Sequence, residues 1–261
     1  MKQFILILLG LMLMGTAHSQ DEEKLTVKPS GRILMDAGAF HADHYNDKFN
    51  DGVAIPDVRI GFGAQYGKWK SKVDVGFAYA KISLKDIFME YVFNKENLLR
   101  GGYFVHQFGL QSATSSSFKI TMEEPASNQA FFNSRLVGLM FLHNKGKFFG
   151  TLSLFAESEA MKQSTDKLGN EGYGMMSRLV YRPLRDPGNI LHIGLSGAFE
   201  SPRYSAKPED NHRSYALKSE FPTRIARVAA QQADITEAKM LYKFTPEVTA
   251  AIGRLAIESQ Y

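Results

Sequence analysis

The stretch "PDVRIGFGAQYGKWKSKVDVGFAYAK", residues 56–81, contains two runs in which apolar and polar side chains alternate. Successive side chains of an extended strand point to opposite faces of a sheet, so a period of two predicts a strand with one apolar and one polar face. A short break at Gly67 and Lys68 separates the runs and predicts a β-hairpin. The apolar face of the first run consists of Val58, Ile60, Phe62, Ala64 and Tyr66.

The same alternation recurs along the chain and predicts about twelve strands in all. Many of the runs are near the roughly 9–11 residues that a tilted membrane strand requires. Residues 224–235 are compatible with a short helical turn. Beyond the opening hairpin the runs cover residues 86–93, 99–106, 135–142, 148–157, 172–182 and 190–200, with weaker alternation at 31–40, 213–221, 235–243 and 248–258.

The connections between these runs alternate between short and long as far as residue 200. Outer-membrane barrels have short turns on the periplasmic side and long loops on the external side. The alternation is less clear beyond residue 200, and the short link at 81–85 fits it poorly. The short connections are 67–68, 94–97, 144–146 and 183–189, and the long ones are 41–54, 107–134 and 158–171.

Aromatic residues lie near the ends of the apolar faces, while the opposite faces carry charges and glycines. This distribution is typical of a transmembrane antiparallel β-barrel, whose outer band is bounded by aromatic girdles. A soluble all-β sandwich is the alternative, because alternation alone does not exclude it. The expected girdle residues are Tyr66, Trp69, Tyr79, Tyr173 and Tyr181.

The N-terminus predicts export across the inner membrane. Lys2 precedes an apolar run from Phe4 to Met14, and Ala17 and Ser19 are the small residues that a signal peptidase reads. We expect residues 1–19 to be a signal peptide and residues 20–261 to form the barrel.

The chain has no cysteine, which excludes a lipoprotein anchor and disulfides. Its 31 Lys and Arg against 27 Asp and Glu are spread along the chain, so nucleic acid is not an expected partner.

One block of sequence resembles a known family. "GGYFVHQFGLQSATSSSF", residues 101–118, is followed by "EEPASNQAFFNSRLVGLMF", residues 123–141, and the pair is similar to the phosphate-selective porin O and P family. The resemblance extends from about Gly31 to Tyr261. It implies an outer-membrane porin that contacts lipid, assembles as a homotrimer and lets small anions diffuse passively, with phosphate or polyphosphate as candidate solutes.

The family builds about sixteen strands, and lumens of porin width need roughly that number. Because about twelve strands are found here and the run at 248–258 reaches Tyr261 without a recognisable turn, we expect this chain to be C-terminally incomplete.

The hydroxyl-rich segment after residue 106 is the expected constriction, because a long segment can fold into a polar lumen and line it with hydroxyl and amide groups. Its candidate residues are Gln107, Gln111, Thr114, Ser115, Ser116 and Ser117. Basic side chains on the polar faces favour anions, and a guanidinium can hold a phosphate through two contacts. These candidates are Arg32, Arg59, Lys70, Lys72, Arg100, Lys119, Arg135, Arg178 and Arg182.

The segment also departs from the family pattern. The family's filter is rich in arginine and lysine, whereas residues 107–133 contain only Lys119 against Glu123 and Glu124. The resemblance therefore favours a porin more strongly than it favours phosphate selectivity.

We do not expect an enzyme, a cofactor or a metal site, since the sequence lacks the usual hydrolase, zinc and phosphate-loop motifs. An outer-membrane lipase is one alternative, with His106 and Ser112 as its suggestive pair. A non-conducting adhesin or structural barrel is another.

Overall fold

The computed structural model describes residues 24–41, 49–115, 118–119, 121, 123–131, 135–156, 172–202, 215–221, 223–225 and 228–261. The predicted signal peptide lies outside these residues. No helix within the described ranges is long and apolar enough to span a bilayer.

The described residues form thirteen strands, two short α-helices and one 3-10 turn at Ala78–Ala80. Helix α1 covers Gly109–Ala113 and helix α2 covers Ala126–Phe131. The strands are β1 Thr26–Gly38, β2 Gly52–Tyr66, β3 Trp69–Gly76, β4 Ser83–Val92, β5 Asn97–Val105, β6 Arg135–Lys145, β7 Phe148–Ala156, β8 Tyr173–Asp186, β9 Asn189–Glu200, β10 Tyr215–Glu220, β11 Ala229–Ile235, β12 Leu241–Ile252 and β13 Leu255–Gln260.

Eleven strands form one sheet in the order β1-β2-β3-β4-β5-β6-β7-β8-β9-β12-β13, and every neighbouring pair is antiparallel. Strands β10 and β11 form a separate hairpin within the connection from β9 to β12. The predicted all-β antiparallel class is confirmed. β1 and β13 are the two edges, and the described residues contain no pairing between them, so closure into a barrel stays a prediction.

Five tight turns lie at one end of the sheet, between β2 and β3, β4 and β5, β6 and β7, β8 and β9, and β12 and β13. The longer connections lie at the opposite end, including the one that carries the β10–β11 hairpin. The predicted alternation of short and long connections therefore continues beyond residue 200. Neighbouring turns are joined by backbone hydrogen bonds of 2.8 Å, namely Val92 N to Lys68 O, Asn144 N to Glu96 O, Arg182 N to Lys147 O and Gly253 N to Gly188 O.

Three predicted elements near the C-terminus are wrong. β11 lies where a helical turn was expected at 224–235, and residues 236–240 interrupt the strand predicted at 235–243. The single strand predicted at 248–258 is a hairpin that turns at Gly253, whose φ of 60° suits glycine. Both arms of a tight hairpin keep a period of two, and small alanines flank this turn, so the alternation did not reveal it.

The two faces of the sheet have opposite polarity. Large apolar side chains cover the outer face and are exposed, whereas charged and hydroxyl side chains on the inner face are buried. A soluble sandwich has the reverse arrangement, while a membrane sheet turns its apolar face to lipid. Outer residues include Ile60, Phe62, Leu139, Leu154, Leu179, Leu195 and Phe244, and inner residues include Asp57, Asp74, Glu90, Ser153, Arg178, Lys243 and Glu247.

Aromatic rings gather on the outer face beside the tight turns. Trp69 lies 4.9 Å from Tyr91, which lies 5.1 Å from Phe93, measured between ring centroids. Further around the sheet, the rings of Phe148 and Tyr181 are 5.2 Å apart. Aromatic rings are favoured at the boundary between lipid and water, so these contacts mark one edge of the apolar band.

Candidate functional site

The chain that leaves β5 folds back along the inner face of the sheet instead of projecting outward. Phe108 inserts into an apolar patch on the inner wall, which explains why the segment packs there. The next residue, Gly109, has a φ of 73°, and a Cβ at this position would come within 2.6 Å of the Gln260 side chain. Only glycine suits this close approach. The patch consists of Leu136, Phe155, Met176 and Ala198.

Hydrogen bonds attach both helices of this segment to the wall. Gly109 N donates to Ser196 Oγ of β9 over 2.9 Å, just before α1 begins to turn. At the end of α2, Phe131 O accepts a 3.0 Å bond from Lys243 Nζ of β12. The described residues of 107–131 therefore form an inward-folded segment whose two helices lie against the wall. That this segment constricts a channel stays a prediction.

A cavity of about 570 Å³ lies between this inward segment and the inner faces of β1 to β6. Seven basic and three acidic side chains line it. The structure brings together in this cavity nine residues predicted from the sequence, namely Arg32, Arg59, Lys72, Arg100, Gln107, Thr114, Ser115, Lys119 and Arg135. Arg224 is the other basic residue of the lining, and Asp74, Asp86 and Glu124 are the acidic ones.

Sequence reasoning missed Arg224 because it lies at the start of the stretch interpreted as a helical turn. In the structure Arg224 pairs with Glu123 of the inward segment, and its carbonyl accepts a 3.1 Å bond from Tyr79 Oη. Burial raises the pKa of the Glu123 carboxyl, although the nearby Arg224 guanidinium acts in the opposite direction. No pattern in the sequence around Arg224 signalled this role.

The basic side chains of the cavity are held by carboxylates. Three of these carboxylates, on Asp57, Glu90 and Glu123, are outside the cavity lining, so they hold the cations from behind. A charge-assisted hydrogen bond to a carboxylate holds each guanidinium plane in one orientation. The N–H groups of the guanidinium that do not bond to the carboxylate point in other directions. The pairs are Arg59 with Asp57 at 2.7 Å, Arg100 with Glu90 at 2.6 Å, Arg135 with Asp86 at 2.8 Å, Lys72 with Asp74 at 2.8 Å, and Arg32 with Asp57, Lys119 with Glu124 and Arg224 with Glu123.

Arg100 is further supported by aromatic rings. Its guanidinium carbon lies 4.2 Å from the ring centroid of Phe88 and 5.2 Å from that of Phe104. A cation over an aromatic face is stabilised by the ring quadrupole. Together with Glu90 this contact gives Arg100 a defined orientation in the cavity wall.

The remaining predicted residues lie elsewhere. Arg178 is buried against Glu247, with Nη2 and Oε1 2.6 Å apart, and also donates to Gln107 Oε1 over 3.3 Å. Lys70 lies beside the tight turn between β2 and β3. Gln111 faces β13, where its backbone N donates to Gln260.

Arg182 lies near the turn between β6 and β7, where it donates to Asn144 Oδ1 over 2.6 Å and to the Phe148 carbonyl over 3.1 Å. Ser116 and Ser117 lie outside the described residues.

His106 and Ser112 each have a different structural partner. Both are buried. His106 Nε2 donates to the Leu136 carbonyl over 3.3 Å, and Ser112 Oγ donates to the Phe108 carbonyl. This geometry does not prepare the serine as a nucleophile, which would need a hydrogen bond to the imidazole. No group of three or more potential metal-ligating side chains occurs within the described ranges.

An antiparallel sheet with an apolar outer face, a charged inner face and a segment folded against that inner face is the arrangement of an outer-membrane porin. The chain belongs to the phosphate-selective porin O and P family, whose model matches residues 27–244. It is also similar to Porin O of Pseudomonas aeruginosa, with 23% identity over 197 residues. The match covers 71% of this chain and 44% of that protein, so the chain spans less than half the length of this relative.

Proposed function

We propose that this protein, once the edges β1 and β13 of its sheet are paired, forms a water-filled channel in the bacterial outer membrane through which small anions diffuse passively. The observation that supports this most directly is the cavity lined by seven basic and three acidic side chains beside the inward segment. A surplus of positive charge at a narrow, low-dielectric site raises the local concentration of anions and lowers the barrier to their passage.

The arrangement of the lining suits a permeating anion that keeps part of its hydration. Arg59 and Arg100 are oriented by carboxylates outside the lining, and Thr114 and Ser115 add hydroxyl groups on the opposite side of the cavity. An anion can therefore exchange some water for guanidinium and hydroxyl contacts without binding tightly. Such contacts favour rapid exit as well as entry.

Phosphate and polyphosphate are the candidate solutes, because a guanidinium fork matches two phosphate oxygens. The preference we propose is modest, since Asp74, Asp86 and Glu124 also line the cavity and reduce its positive potential. We further propose that residues 1–19 direct export, that the apolar outer face contacts outer-membrane lipid and that the protein assembles as a homotrimer.

A channel is favoured over the lipase alternative by membership of a porin family and by the separate partners of His106 and Ser112. We propose no catalytic activity and no cofactor for this protein. Incubation with phospholipid vesicles should accordingly release no lysophospholipid.

The test is planar-bilayer recording with the purified protein in a potassium chloride gradient, then in a potassium phosphate gradient. We expect discrete conductance steps and a reversal potential displaced toward the equilibrium potential of the anion. A protein that inserts but never conducts would contradict the channel, and a reversal potential displaced toward that of potassium would contradict the proposed anion preference. Heat-denatured protein is the control for adventitious conductance.

A further inference from the structure

The amide side chain of Gln260, on the inner face of the edge strand β13, contacts both helices of the inward segment. Its Oε1 accepts a 3.0 Å hydrogen bond from Gln111 N in α1. Its Nε2 donates over 3.1 Å to Asn128 Oδ1 in α2. One side chain thus joins two helices that are separated by the hydroxyl-rich part of the segment.

Close packing supports the same role. The space left by the missing Cβ of Gly109 is filled by the Gln260 amide, and the neighbouring Glu258 accepts a hydrogen bond from Gln111 Nε2. Asn128 is only 6% exposed, so its bond to Gln260 is shielded from water. A buried amide that loses its partner costs more than an exposed one, because water does not replace the lost bond.

Contacts continue from Gln260 to the cavity. Asn128 Nδ2 donates to Glu124, and Glu124 pairs with Lys119. Glu124 and Lys119 both line the cavity, and Lys119 is the single Lys or Arg within residues 107–133. Three successive polar contacts therefore connect strand β13 to the Lys119 ammonium group, namely Gln260 to Asn128, Asn128 to Glu124 and Glu124 to Lys119.

We infer that Gln260 is a positioning residue for the constriction: it clamps α1 to α2 and thereby holds Lys119 and Glu124 at the cavity. Its effect on conduction rests on the proposed channel function. Its effect on the inward segment does not, because the contacts exist whether or not ions pass.

The first experiment measures release of the inward segment by limited proteolysis of the purified protein in detergent micelles. Trypsin cuts residues 107–133 only after Lys119, so the fragments are defined. Loss of the two hydrogen bonds in Gln260→Ala should raise the cleavage rate at Lys119 about three- to tenfold, the ratio expected for about 0.7–1.4 kcal/mol. Cleavage in the tight turn at Lys147 should keep its rate and serves as the internal reference.

Two further variants sharpen the result. Gln260→Glu retains an acceptor for Gln111 N but places a carboxylate oxygen against the acceptor Asn128 Oδ1, so we expect cleavage at least as fast as in Gln260→Ala; it also decides the question if the alanine variant does not fold. Gln232→Ala changes an exposed glutamine of β11 and should behave as the wild type. Wild-type cleavage at Lys119 in a folded Gln260 variant would overturn the clamp.

The second experiment records single channels of the same variants. A released segment should raise the open-channel current noise and change the conductance in Gln260→Ala but not in Gln232→Ala. Unchanged recordings together with faster cleavage would retain the clamp and overturn its control of conduction. If no variant conducts, including the wild type, the proposed function fails while the proteolysis still decides whether Gln260 holds the segment.

Discussion

Two parts of the inner face carry the same residue types in different surroundings. The open wall, formed by β1 to β5, presents its basic side chains to the cavity, and the side chains of Arg32 and Arg59 are each 19% exposed. The covered wall, formed by β8, β9 and β12, lies against the inward segment. There the side chain of Arg178 is 6% exposed and that of Glu247 is fully buried.

The covered wall resembles a polar protein interior. Glu247 accepts from Arg178 and also lies 2.6 Å from His192 Nε2, and Lys243 pairs with Glu200 at 2.5 Å. A buried charge without its partner is costly, whereas a partly hydrated pair contributes little to stability. An inward-facing arginine is therefore buried in an ion pair on the covered wall and lines the cavity on the open wall, depending on whether the inward segment covers it.

The largest effect should come from removing Glu247. Glu247→Ala leaves Arg178 buried without its carboxylate, which typically costs about 3–5 kcal/mol. Urea unfolding in micelles, followed by fluorescence of the single tryptophan, Trp69, should show this loss of unfolding free energy. Asp86→Ala on the open wall is the matched control, with an expected loss below about 1 kcal/mol. Equal losses for the two variants would remove the distinction between the walls.

An intermediate effect should appear in selectivity when one cation is removed from the open wall. Arg59→Gln should lower the chloride-to-potassium permeability ratio about two- to fivefold, because one charge in a hydrated lumen is worth roughly 0.5–1 kcal/mol. Reversal potentials in a salt gradient measure the ratio, and the effect should weaken at high salt.

Asp86→Asn should move the same ratio in the opposite direction, since it removes a negative charge from the lining. Lys68→Gln, in the exposed turn between β2 and β3, should leave it unchanged. A ratio insensitive to both Arg59 and Asp86 would mean that the open wall does not control the ion path.

The smallest effect on selectivity and stability is expected for Arg182, which lies at the tight-turn end of the sheet, outside the lining of the cavity. Arg182→Gln should change the permeability ratio by less than about twofold and the unfolding free energy by less than about 1 kcal/mol, because its bonds to turn carbonyls are accessible to water. The same bilayer and urea measurements test both values. A change in selectivity as large as that of Arg59→Gln would mean that residues at the tight-turn end also control the permeability ratio.

Local periodicity was sufficient for most of the sheet. The opening hairpin pairs Tyr66 with Trp69 and Phe62 with Val73, as the alternation predicted. Periodicity failed at 248–258, where small alanines on both sides of Gly253 gave no contrast in hydrophobicity between the two faces of the predicted strand. The inward direction of the segment after His106 was also predicted, from its hydroxyl-rich composition, but its attachment to β9, β12 and β13 was not.

By itself, the sequence determined the antiparallel all-β class, the apolar outer face and the basic residues available to a channel, because these properties depend on side-chain alternation along each strand. Only the tertiary structure decided which basic residues share the cavity and which are buried. Arg59 and Arg178 occupy equivalent inward positions on their strands, and no local pattern distinguishes them. Their environments differ because the inward segment covers β8, β9 and β12 but leaves β1 to β5 open to the cavity, and Phe108 fixes this position by packing on an apolar patch assembled from β6, β7, β8 and β9.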